Sequence, residues 1–289
     1  MDVRWLFRQW LRRRETKEGA GMDRLLAHGT VNAAQRGEGP PLFLLHSLLS
    51  DRASFDAVAP QLSRSFRVIV PELPGFGGSQ AVGGGLAEIA DRMAEAVRDG
   101  AGGEDAVVLG NGYGGFVALQ MVIRHPDIAT RLILADCGAA FSPSGRDAFR
   151  SMAAAAKING LAAVTDVAMR RLFAPDFQAR HPELMADRRA AFGKTDPQVF
   201  GAACAQLAEL DLRAELANVK VPVLVIVGEH DGRTPLPMSE DLNKYIRRSY
   251  MKLLQNCGHY YGYEQPDECV RLILDFLQAD WSIVRRDTA

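Results

Sequence analysis

Short aliphatic runs recur along this chain, separated by longer stretches in which apolar positions return every three or four residues. The runs fall at 42–45, 67–70, 106–109, 131–135, 223–227 and 250–254. Strands buried on both faces read as such uninterrupted stretches rather than as alternating ones. Between them, helical periodicity covers roughly 53–63, 86–99, 113–124, 236–248 and 266–279. The alternation predicts an α/β fold, a mostly parallel sheet with helices on both faces. From about 141 to 212 the pattern is helical only, rich in alanine and arginine, with no convincing strand. An insertion between two strands of such a sheet is expected to cover the strand ends as a lid. The expected organisation is a core from 21–140 and 213–289, a helical lid at 141–212, and a separate segment at 1–20.

That first segment, MDVRWLFRQWLRRRETKEG, sets Val3, Leu6, Phe7, Trp10 and Leu11 on one helical stripe flanked by arginines. It lacks the long apolar core and cleavage site of a secretory signal. Two readings stay open: a helix touching anionic lipid or a protein partner, or one packed on its own domain or on a second copy in a homo-oligomer. Elsewhere composition mainly excludes. With 47% apolar and 24% charged residues and a net charge of −1, the 289-residue chain gives no electrostatic reason to bind nucleic acid. No apolar run approaches the ~20 residues that span a bilayer. The four cysteines, at 137, 204, 257 and 269, have no metal-type spacing. A cytoplasmic protein acting on a small molecule, with no metal or organic cofactor, is the expectation.

The strongest chemical signal is VVLGNGYGGFVALQ, residues 107–120. A β-run leads through a glycine-rich turn into a helical pattern, the strand–turn–helix of a nucleophile elbow with motif G-x-S-x-G. The outer glycines, Gly110 and Gly114, are present because the sharp turn leaves no room for side chains. The central position is Gly112, which has no hydroxyl. Downstream, Asp231 closely follows a strand in VLVIVGEHDGRTP, and His259 lies between the last strand and the last helix in NCGHYYGYE. The order of elbow, acid and histidine is that of the α/β-hydrolases. Upstream, His46, Ser47 and Leu48 follow a strand where that fold builds its oxyanion loop.

Taken together, these residues resemble the α/β-hydrolase superfamily over about 22–280. The passage RLFAPDFQARHPELMADRRAAFGKTDPQVFG is similar to the 3-oxoadipate enol-lactonases, and GNGYGG and CGHYYGYE resemble segments of the C–C bond hydrolases that cleave meta-cleavage products. The resemblance implies a site with His259 as base, Asp231 as its orienter, and the backbone N–H groups of Tyr113 and Leu48 as oxyanion donors. His46, Ser47 and Tyr260 would line the substrate. Arg188 falls where the C–C hydrolases carry a lid arginine that holds a substrate carboxylate. The H-G-G-G-type oxyanion loop of those enzymes is absent here.

Gly112 leaves several accounts open. The chain is an enzyme whose His–Asp dyad works without a serine at the elbow, on a carboxylated lactone, ester or β-diketone. Otherwise it is a non-catalytic ligand-binding or scaffold relative, a serine hydrolase inactivated by an introduced glycine, or a cofactor-free lyase or oxygenase. Glycine accepts the strained elbow conformation at little cost. Loss of the hydroxyl is expected to remove ordinary serine-esterase turnover, by about a million-fold elsewhere. Ser47 carries a hydroxyl but follows the oxyanion-loop histidine, and little weight falls on it as a substitute. The joint spacing of His259 and Asp231 with the elbow favours the enzyme.

Overall fold

The computed structural model describes residues 21–279. The basic segment at 1–20 and the readings attached to it lie outside the described residues. Eight strands form one sheet in the order β1-β2-β4-β3-β5-β6-β7-β8. They are β1 Met22–Leu26, β2 Val31–Arg36, β3 Pro41–Leu45, β4 Arg67–Pro71, β5 Val107–Asn111, β6 Arg131–Ala135, β7 Val223–Gly228 and β8 Ser249–Leu254. From β4 onward across the sheet every pairing is parallel, as the aliphatic runs imply. The edge formed by β1, β2 and β4 is antiparallel. That β1–β2 hairpin was not legible as a pair of strands, because MDRLL and VNAAQR mix polar with apolar residues and carry no aliphatic run.

Side chains along the central strands alternate between two cores, the period of two that a pleated strand dictates. Phe43, Leu45, Val108, Leu132, Leu134, Val223 and Val225 face one core with helices α2 Leu86–Ala101 and α3 Tyr113–Arg124. Leu42, Leu44, Val107, Leu109, Ile133, Leu224 and Ile226 face the other, against helix α11 Pro266–Gln278. The helix expected at 53–63 is broken into a 3-10 turn, Arg52–Phe55, and a short α1, Ala59–Leu62. Pro60 accounts for the break, since its ring removes an N–H and is tolerated only in a helix's first turn. Helix α9, Leu236–Tyr245, and the single turn α10, Tyr261–Glu264, complete the core.

Between β6 and β7 lie α4 Pro143–Asn159, α5 Ala162–Met169, α6 Pro175–Arg180, α7 Pro182–Phe192 and α8 Pro197–Glu209. Four of the five start on proline, the residue preset for a first helical turn. Ser142 and Asp196 cap α4 and α8 by accepting from the amides of Gly145 and Gln198. These helices meet the sheet's carboxyl-terminal edge, where β3, β5, β7 and β8 deliver the residues of the candidate site. Among the described residues, no helix is long and apolar enough to cross a membrane.

Candidate active site

The elbow has the shape the sequence requires. Gly112 sits between β5 and α3 with φ 52° and ψ −119°. A Cβ on Gly110 would come 2.2 Å from Gly114 O, and one on Gly114 would come 2.3 Å from Leu45 O, so neither position admits a side chain. The Gly112 amide donates to Ala135 O at 2.9 Å and the Gly114 amide to His46 O at 3.0 Å, which pins the turn to β6 and to the segment after β3. Tyr113 opens α3, and a first-turn amide has no acceptor within its own helix. Its hydroxyl donates to Gln206 Oε1 at 2.6 Å, tying the elbow to α8.

Strands β7 and β8 bring Asp231 and His259 to this turn. Asp231 Oδ2 lies 2.9 Å from His259 Nδ1, and both residues are buried. The remaining capacity of the carboxylate is filled by the Thr234 hydroxyl at 2.5 Å and by the amides of Arg233 and Thr234 at 2.7 and 3.0 Å. Against the cost of burial, the His259 imidazole and these donors hold the Asp231 pKa down at about 2. An ionised partner at Nδ1 fixes the tautomer with its proton there, leaving the Nε2 lone pair free. That nitrogen lies 2.6 Å from the point a Gly112 Cβ would occupy and 3.4 Å from Ser47 Oγ. The histidine's own loop is held from both sides. Its amide donates to Leu172 O at 2.9 Å, Asn111 Nδ2 donates to its carbonyl at 3.2 Å, and Glu264 accepts from Gly258 and Ala174.

Behind the pair stands Asp136, which sequence reasoning missed. It directly follows β6 in a left-handed conformation, φ 49°, a position only topology makes relevant. Burial, and then the charge of Asp231, push its pKa well above the ordinary carboxylate value, which favours the protonated form. Its oxygens accept from the Gly228 amide at 3.0 Å and Asn111 Nδ2 at 3.3 Å. Asp136, Asp231 and His259 bring ligand-type atoms within 4.8 Å of one another. Asp231 and His259 are committed to each other and Asp136 to the Gly228 amide and Asn111 Nδ2, which suits a proton-holding cluster better than a metal cage. Because burial favours the uncharged form of Asp136, Asp136→Asn should cost less than about 1 kcal/mol in a denaturant melt. Asp136→Ala, which orphans the Gly228 amide, should cost about 1–3 kcal/mol. Equal losses for the two variants would contradict a neutral Asp136.

The other expected site residues divide. Ser47, Leu48 and Tyr260 are buried beside the elbow, and the Tyr260 hydroxyl lies next to Ser47 and Ser50 without a well-aligned hydrogen bond. Burial pushes the Tyr260 pKa up to about 12. His46, expected among the substrate contacts, has both nitrogens occupied by backbone. Nδ1 meets Ser47 O at 2.9 Å, Nε2 accepts from the Leu73 amide at 3.0 Å, and the ring packs edge-on against Phe76. It is a strut for the turn, with no nitrogen left for a ligand. Arg188 is also engaged, donating to Asp51 Oδ1 at 3.1 Å with its guanidinium over the Tyr263 ring. Arg233, beside the dyad in sequence, lacks an acid partner. Its neighbours are Met152 Sδ at 3.7 Å and the Phe149 ring, and no carboxylate lies within ion-pair distance among the described residues. Burial draws its pKa down.

The comparisons agree with this architecture. The family model described as alpha/beta hydrolase fold matches residues 40–266. A pimeloyl-[acyl-carrier protein] methyl ester esterase of Aromatoleum aromaticum is 32% identical over 256 residues, covering 83% of this chain and 98% of its own. A 2-hydroxymuconate semialdehyde hydrolase of a Pseudomonas species is 30% identical over 278 residues, covering 89% and 93%. The crystal structure of the enol-lactonase from Burkholderia xenovorans superposes with a TM-score of 0.80 at 26% identity, covering 86% of this chain and 96% of that one. Fold, strand order and relatives therefore converge, and the chain belongs to the α/β-hydrolase family.

Proposed function

We propose that the protein is a hydrolase of small carboxylated lactones, esters or β-diketones that works from a His–Asp dyad with no hydroxyl at the elbow. One observation carries this reading: His259 is held by Asp231 at 2.9 Å with its free Nε2 directed at the space beside Gly112. Nothing in packing requires a buried imidazole and two buried carboxyl groups to converge on a glycine, and desolvating them is costly. Groups with displaced pKa values cluster where proton transfer is performed. His259 is the general base, Asp231 fixes its tautomer, and the amides of Tyr113 and Leu48 stabilise the oxyanion. The helices of 141–212 act as a lid over this edge. The test is turnover of a panel of such substrates by wild type and by His259→Ala. Hydrolysis that depends on His259 is expected; hydrolysis indifferent to it, or none at all across the panel, defeats the proposal.

Arg233 takes the substrate carboxylate. It stands two residues from Asp231, half-buried, with no carboxylate within ion-pair distance among the described residues, whereas Arg188 is neutralised by Asp51. A charge-assisted bond is worth about 1.5–3 kcal/mol. Arg233→Ala should therefore raise KM for a carboxylated ester about tenfold or more, leave kcat within a few-fold, and leave the matching neutral ester unaffected. An equal rise for both esters would assign the arginine to packing.

A further inference from the structure

We infer that Ser47 is the nucleophile, supplying from the turn after β3 the hydroxyl that the elbow lacks. The inference rests on the reading of His259 as general base, and the geometry is specific. Ser47 Oγ lies 3.4 Å from His259 Nε2 and 2.3 Å from the point where a Cβ on Gly112 would stand. A serine at 112 would carry its own oxygen one bond from that same point. Ser47 Oγ therefore stands beside the place of the missing group and within reach of the same imidazole nitrogen, approaching from the neighbouring strand. Serine at 47 and glycine at 112 fit each other: any side chain at 112 would meet both Ser47 Oγ and, at 2.9 Å, Ser47 Cβ.

The turn holds this serine in place. Its carbonyl is fixed by His46 Nδ1 at 2.9 Å and by the Ser50 amide at 3.2 Å. His46 is in turn anchored at Leu73, and His46 O accepts from the Gly114 amide. The Ser47 backbone is thereby braced against β4 and the elbow together. A separation of 3.4 Å is long for a hydroxyl donating to an imidazole, and such contacts tighten when substrate is present. The Tyr260 hydroxyl beside it completes a polar wall.

With an ester the step balances as follows. Ser47 Oγ attacks the carbonyl carbon while its proton passes to His259 Nε2. The tetrahedral oxyanion collapses, the bond to the alkoxy oxygen breaks, and the leaving alcohol takes the proton from His259. Water, deprotonated by the same nitrogen, then attacks the acyl–Ser47 ester, and acid and serine are regenerated.

A fluorophosphonate probe tests this without knowledge of the natural substrate. An Oγ–P bond replaces the P–F bond, and the serine proton leaves with fluoride by way of His259. Peptide mapping of the labelled full-length chain should find the adduct on Ser47. Ser47→Ala, with a melting curve matching wild type, should be unlabelled and should lose ester turnover about a thousand-fold or more. His259→Ala should keep the serine and lose the label. An adduct on any other residue, or no adduct on wild type, overturns the inference. If His259→Ala loses turnover while Ser47→Ala keeps it, Ser47 is dismissed and the dyad stands, activating water. If wild type is unlabelled and hydrolyses nothing, both readings fall.

Discussion

Replacing His259 with alanine should lower kcat/KM on any substrate the protein turns over by about a million-fold, the loss seen when a base of this kind is removed. The size follows from how the proton is handled. Nε2 bears the lone pair facing the reacting centre, and the nearest carboxylates lie on its far side, one held ionised and saturated with donors, the other pushed by burial towards its protonated form. The fold should survive, because the Thr234 hydroxyl and two amides still satisfy Asp231. A subtler variant separates orientation from presence. In Asp231→Asn the amide nitrogen donates towards Nδ1, drives the imidazole proton to Nε2 and so removes the lone pair, at a cost of about ten-thousand-fold. Steady-state rates with thermal melts measure both. A loss under tenfold in either variant would show that the pair is not the proton relay.

Installing serine at position 112 should not by itself restore a conventional triad. Its Cβ would stand 2.3 Å from Ser47 Oγ and 2.6 Å from His259 Nε2, so the hydroxyl would have to swing away and the ring give ground. The left-handed φ of 52° adds strain that glycine does not feel. Overpacking of this kind costs about 1–3 kcal/mol. Gly112→Ser should therefore melt earlier than wild type and lose most ester turnover. Adding Ser47→Gly removes the 2.3 Å and 2.9 Å contacts and leaves only the imidazole to shift. The double variant should regain turnover to within about a hundred-fold of wild type, well above what the site retains without any serine. In it the fluorophosphonate adduct should move to position 112. A single Gly112→Ser variant more active than wild type would mean that Ser47 is a bystander.

Much of this was legible in the sequence for reasons that can be named. Buried parallel strands need aliphatic runs, so β3 to β7 announce themselves, the half-exposed edge strand β8 shows more faintly in YMKLL, and α3 follows from the elbow it terminates. The edge hairpin was silent because one of its faces is wet and its residues are mixed. The dyad could be found because chain order and strand ends fix where an acid and an imidazole must stand. Asp136 could not, since its relevance comes from crossing to β7 and not from any local pattern. His46 and Arg188 show the limit of reading type as role. Both are polar residues at suggestive places, and each is used up by its own neighbours. Arg233 and Ser47 show the reverse, for their freedom or aim appears only once three separate loops are brought together.

The bonds that seat the histidine have a further consequence. The His259 amide rests on Leu172 O, and Glu264 joins the Gly258 and Ala174 amides, so the base is moored to the helical insertion as firmly as to the sheet. Any displacement of that segment from the sheet would break these bonds and loosen the imidazole, so a change made far out in the insertion would be felt at the base.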